Sequence, residues 1–120
     1  MADDFDINRL DEVIHGRVRL GIMAVLSGVE SADFNTLKGK LQTTDGNLSV
    51  HLRKLEDAGF VAVVKRFEGR KPLTEASMTP TGRKAFVAYL DAMQGLVAQA
   101  GEGGSAGRWE ASPTWARQAA

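Results

Sequence analysis

Thr43-Thr44-Asp45-Gly46-Asn47-Leu48-Ser49-Val50-His51-Leu52-Arg53-Lys54-Leu55-Glu56-Asp57-Ala58-Gly59 reads as a short helix with a marked start and stop. Thr44 is a good N-cap, and Gly59 closes the helix from the position after its C-cap. At 100° per residue, Leu52 and Leu55 fall within about 40° of Leu48 and form one apolar anchor. Gly46, Val50, Arg53, Lys54 and Asp57 fall on the far side, with Asn47 and Ser49 flanking them. The two faces are unlike: one fits a small core, the other offers small polar and basic groups.

Upstream, Gln42-Thr43-Thr44 reads as a tight turn. Before it, Phe34, Leu37 and Leu41 share one side of a short helix, roughly 34–41, that Ser31 or Asp33 can cap. A longer first helix is expected from an Asn8 cap, with Asp11 and Glu12 in its first turn. Its apolar stripe is Leu10, Val13, Ile14, Val18, Ile22, Val25 and Leu26, and Ser27-Gly28 ends it. Downstream, Phe60 to Phe67 is β-branched and aromatic, hence a strand. Glu68-Gly69-Arg70-Lys71-Pro72 is a turn cluster, and Leu73 to Met78 a second strand. Thr79-Pro80 opens a last helix with a Thr cap and Pro at its first position. That helix is expected to run to about Gln99. The fold class is therefore mainly α with a small β-hairpin, in the order α-α-α-β-β-α. The organisation is an acidic leader over 1–7, one domain over 8–99, and a flexible tail over 100–120 that opens on glycines and carries Trp109 and Trp115.

Composition bounds the function. A chain of 120 residues is one domain by length. It has no cysteine, which excludes disulfides, zinc-thiolate sites and thiol redox sensing. No apolar run reaches membrane-spanning length, and the N-terminus is too acidic for a signal peptide. The cytoplasm is the expected location and no membrane partner is expected. Net charge is zero, yet it is unevenly placed. Between Lys38 and Lys71 there are eight basic and four acidic residues, a surplus of four that the rest of the chain balances.

A short helix, a tight turn, a second short helix and a basic-tipped hairpin form an arrangement that reads DNA. The third helix, 44–58, is then the element for the major groove. Its N-terminus presents Thr44, Gly46 and Asn47, whose small side chains let a backbone approach closely; Asn47 and Ser49 can pair with base edges, and Arg53 and Lys54 supply phosphate or guanine contacts. The hairpin, 65–72, places Arg66, Arg70 and Lys71 on flanking DNA.

The same residues resemble a family. Ser49-x-His51-Leu52-x-x-Leu55 with Ala58-Gly59-Phe60-Val61 is similar to the pattern of bacterial winged helix-turn-helix regulators of the ArsR/MarR superfamily. Phe67-x-Gly69-Arg70-Lys71-Pro72 and Met78-Thr79-Pro80-Thr81-Gly82-Arg83 resemble the wing and last helix of compact MarR-like members. The resemblance implies a winged helix fold and a dimeric transcription regulator, a repressor on a pseudo-palindromic operator. It also implies that Thr44, Gly46, Asn47, Ser49, Val50 and Arg53 face the major groove, that Arg70 and Lys71 belong to the wing, and that the last helix is a dimerisation helix. The chain departs from the family where MarR proteins often carry an arginine and it has Val50. Lacking cysteine, it cannot sense metals as ArsR proteins do.

The last helix is longer than a domain of this size needs. Phe86, Tyr89, Leu90, Met93, Leu96 and Val97, with Leu20 and Met23 of the first helix, are the expected dimer interface. His51 reads as a packed histidine, and His15 as part of a polar cluster with Arg17 and Arg19. No metal site is expected, since neither histidine has a partner one turn away. No catalytic pairing or phosphate-binding glycine loop occurs, so neither enzyme activity nor a cofactor is expected. An apolar small-molecule effector would sit between the first and last helices, and a protein effector is the alternative to it. The alternative function is a winged helix module that binds proteins and not DNA, for which the leader and the tryptophan tail are the motive.

Overall fold

The computed structural model describes residues 6–102. Residues 1–5 and 103–120, including Trp109 and Trp115, lie outside the described residues. A 3-10 turn at Ile7–Arg9 precedes helix α1 (Arg17–Ser27), strand β1 (Ala32–Asp33), α2 (Phe34–Leu41), α3 (Asp45–Asp57), β2 (Val61–Glu68), β3 (Lys71–Met78) and α4 (Pro80–Glu102). The expected order is observed, with the two-residue β1 added at the sheet's edge.

The first helix starts later than its apolar stripe predicts. Asp6 accepts from the Asn8 N–H and caps the 3-10 turn. The Asp11 carboxylate then accepts from the N–H groups of Val13 and Ile14, at 2.8 and 3.2 Å. Such a local side-chain bond competes with helix formation. Gly16 is fully extended, and α1 begins only at Arg17. Leu10 and Ile14 are nevertheless buried, so the stripe marks the core while the backbone that carries it is a turn.

α3 follows α2 through a turn in which Gln42 takes a left-handed conformation (φ 51°). Its N-cap is Thr44, whose Oγ1 accepts from the Asn47 N–H at 3.2 Å. A cap of this kind contributes about 1 kcal/mol. Leu48, Leu52 and Leu55 are buried as predicted, against Ile22, Met23, Leu26 and Leu37 in one core. Each such leucine contributes about 1.5–3 kcal/mol by leaving water.

The sheet has the order β1-β3-β2 and is antiparallel throughout. The β2–β3 register runs from Val61 opposite Met78 to Glu68 opposite Lys71. Gly69 at φ 65° is the first of the two linking residues, as a type II′ hairpin turn requires. Side chains alternate along β2, so Val61, Val63, Lys65 and Phe67 share one face, and Val64, Arg66 and Glu68 the other.

α4 docks against the corner between α3 and β2. Thr79 donates its N–H to the Phe60 carbonyl at 3.0 Å and its hydroxyl to the Gly59 carbonyl at 2.6 Å. It also caps α4 by accepting from Gly82 N–H at 2.9 Å. Gly82 lies so close to Phe60 that an added Cβ would stand 2.0 Å from that carbonyl oxygen.

Burial divides the residues of the expected dimer interface. Met23, Phe86 and Tyr89 belong to the protomer's own core. Leu20 and Met93 are half-buried against that core, and Leu96 is half-buried. Periodicity marks a helix's apolar residues but does not say which neighbour covers them. Leu90 and Val97 remain exposed, and Val87 joins them.

Candidate nucleic-acid interface

The outer face of α3 is open. Gly46, Asn47, Ser49, Val50, Arg53 and Lys54 are all exposed, and so is the capping Thr44. Packing of the three leucines fixes the rotation of the helix and turns these residues outward. The face is polar and basic except for Val50, which is 54% exposed. Arg53 pairs with Asp57 one turn on at 3.5 Å, both side chains well exposed. Exposed pairs of this type are weak, so the guanidinium is free to exchange its partner for a phosphate. Lys38 of α2 bonds Asp45 in the first turn of α3 at 2.8 Å, tying the two helices together.

His51 sits at the inner edge of α3. Arg19 lies 2.9 Å from its Nδ1, and also donates to the carbonyls of Val13 and Glu12. The Arg19 side chain thereby links α1, the turn before it and α3. Burial, then Arg19, Lys54 and Arg17, hold the His51 ring below its ordinary value of 6.5. A neutral ring is the form that accepts from a guanidinium. Among the described residues no hydrogen bond joins His15 to Arg17 or Arg19. His15 instead bonds the Tyr89 hydroxyl of α4 at 2.7 Å, and burial raises the Tyr89 phenol.

The wing divides its charges between its faces. Lys65 and Val63 face α3 and line a groove with Ser49, Leu52, Arg53, Glu56, Phe34 and Thr74. Arg66 lies on the opposite face. Its guanidinium bonds both carboxylate oxygens of Glu75, at 2.9 and 3.3 Å, with Glu68 at 3.9 Å. This bond holds Glu75 below its ordinary value. The placement counts against the expected role of Arg66, which is turned from α3 and engaged by carboxylates. Arg70 stands in the two-residue loop, exposed. Lys71, opposite Glu68, is exposed at the rim of the same tip. Among the described residues neither has a carboxylate within ion-pair distance.

The structure thus brings Ser49, Arg53 and Lys65 around one groove and leaves Arg66 outside it. Sequence reasoning that treats the wing as a basic cluster does not separate Lys65 from Arg66. Strand alternation counted from the core-facing Val61 and Val63 is the signal that does.

Comparison with known proteins agrees with this fold. The model of a family described as winged helix DNA-binding domain matches residues 18–97. The uncharacterized protein MJ0432 of Methanocaldococcus jannaschii is 43% identical over 79 residues, which span 66% of this chain and 86% of that protein. The structure of a transcriptional regulator homologue from Pyrococcus horikoshii OT3 is similar with a TM-score of 0.69 at 31% identity, over 73% of this chain and 87% of that one. A MarR-family transcriptional regulator from Silicibacter pomeroyi shares the fold with a TM-score of 0.58 at 19% identity, over 89% of this chain and 66% of that one. The matched residues contain α2, α3 and the whole wing.

Proposed function

The chain belongs to the winged helix DNA-binding domain family, and from that premise we propose that it is a cytoplasmic, dimeric, sequence-specific regulator of transcription. α3 enters the major groove of a pseudo-palindromic operator. Thr44, Gly46, Asn47, Ser49 and Val50 meet the base edges, and Arg53 and Lys54 the backbone. Lys65 and Arg70 of the wing, with Lys71 at its rim, hold the flanking phosphates. The observation that carries this reading is the groove in which Ser49 and Arg53 of α3 face Lys65 of the wing. One surface then offers base-reading and phosphate-binding groups together.

A second copy of the chain fits the exposed apolar residues of α4. Val87, Leu90 and Val97 lie along one side of a helix about 34 Å long. Two-fold pairing there would present two α3 helices to successive major grooves. A dimer seated on an operator excludes other proteins from the same DNA, and repression is the regulatory sign that follows.

Mobility shifts across a salt series test the assignment. Lys65→Ala and Arg70→Ala should each weaken binding and lower the salt slope by about one. Weaker binding with an unchanged slope would show that these side chains do not contact phosphate.

A further inference from the structure

Phe67 is the most exposed of the large apolar side chains in the described structure, at 71%. A single apolar side chain on a surface is ordinary, and here its neighbours give it meaning. It occupies the outermost position on the face of β2 that begins with buried Val61, continues through Val63, and lines the α3 groove at Lys65. Its cross-strand partner is Pro72, also exposed, and Thr74 stands opposite Lys65. That face of the wing holds no carboxylate between Val61 and Met78. The acids of the hairpin, Glu68 and Glu75, are on the other face with Arg66. The side of the wing turned toward α3 is therefore apolar at its end, with Lys65 before it and Arg70 after it.

We propose that Phe67, backed by Pro72, is a wedge that enters the minor groove beside the major groove read by α3 and partly unstacks a base step there. The inference rests on the DNA-binding reading above and adds a contact to it. The wing face itself carries no carboxylate and is bracketed by cations, which phosphates admit, while the acid that lines the groove, Glu56, belongs to α3; an aromatic ring at the end of that face finds apolar partners on DNA only among sugars and bases. Apolar wedges of this kind kink the duplex and are accommodated most readily at flexible pyrimidine–purine steps. The chain would then discriminate sequence at a position that makes no hydrogen bond, beyond the reach of α3.

The test uses the full chain and a duplex enriched from a random pool by the wild-type protein. 2-Aminopurine is placed in turn at the steps flanking the α3 footprint, and end-to-end energy transfer reports bending. Wild-type protein should brighten the probe at one flanking step and bend the duplex. Phe67→Ala should abolish both and weaken binding about tenfold, about 1.4 kcal/mol, with the salt slope unchanged because no cation is lost. Phe67→Leu, still apolar, should keep part of the brightening. The exposed position makes both variants compatible with the fold, which circular dichroism checks. If Phe67→Ala brightens and bends the duplex as the wild type does, the wedge is overturned and the DNA-binding reading stands. If the wild-type chain enriches no duplex at all, both fall together.

Discussion

Gly46 occupies a place in α3 where an added Cβ would meet nothing within 4 Å. Glycine inside a helix costs about 0.5–1 kcal/mol relative to alanine. Nothing in the free protein recovers that cost, whereas close approach of a DNA backbone or base edge would. Gly46→Ala should therefore raise the unfolding free energy of the free protein by about that amount and weaken DNA binding; urea melts and mobility shifts of one preparation check both. A variant no more stable, or one that binds as well, would contradict the assignment. His51 provides a second residue-scale outcome. Its folded pKa lies below the ordinary 6.5, so the unfolded state takes up the proton more readily. The stability it contributes is fully present above about 6.5 and is lost as pH falls through the folded value. The wild type should lose more stability on acidification than His51→Gln does. Parallel losses in the two proteins would show that the Arg19–His51 contact has no such role.

The elements of the reading region were the most legible part of the chain. Thr44 and Gly59 bound α3 because caps are local, and the three leucines set its rotation because only one face can be buried. The start of α1 was not legible, since Leu10 and Ile14 keep helical spacing while the Asp11 carboxylate bonds the backbone of a turn. β1, with two residues, exists through its pairing with Ala76 and Glu75 of β3, which no local pattern announces. The wing's faces could have been counted from Val61, whereas the bond from Arg66 to Glu75 depends on a cross-strand register that the Gly69 turn sets. At this scale the junction of α4 with the α3–β2 corner should be the least tolerant of change. Gly82→Ala would drive a methyl group into the Phe60 carbonyl, which is backbone and cannot swing aside. The expected loss is about 3 kcal/mol, the upper end for overpacking. A thermal midpoint equal to the wild type's would show that the corner yields.

For the whole molecule, burial divides the apolar residues that the sequence assigns to a dimer interface into two sets. Met23, Phe86 and Tyr89 complete the protomer's core, while Val87, Leu90 and Val97 are left on its surface. Periodicity along a single helix cannot make that division, because both sets repeat at helical spacing. The proposed assembly joins the exposed set across a two-fold axis and carries two copies of the α3–wing groove to one DNA. Selection of bound duplexes from a random pool, followed by sequencing, tests this account most directly. It predicts enrichment of an inverted repeat whose half-sites are about one helical turn, roughly 34–36 Å, apart. Recovery of a pool with no enriched sequence would contradict it.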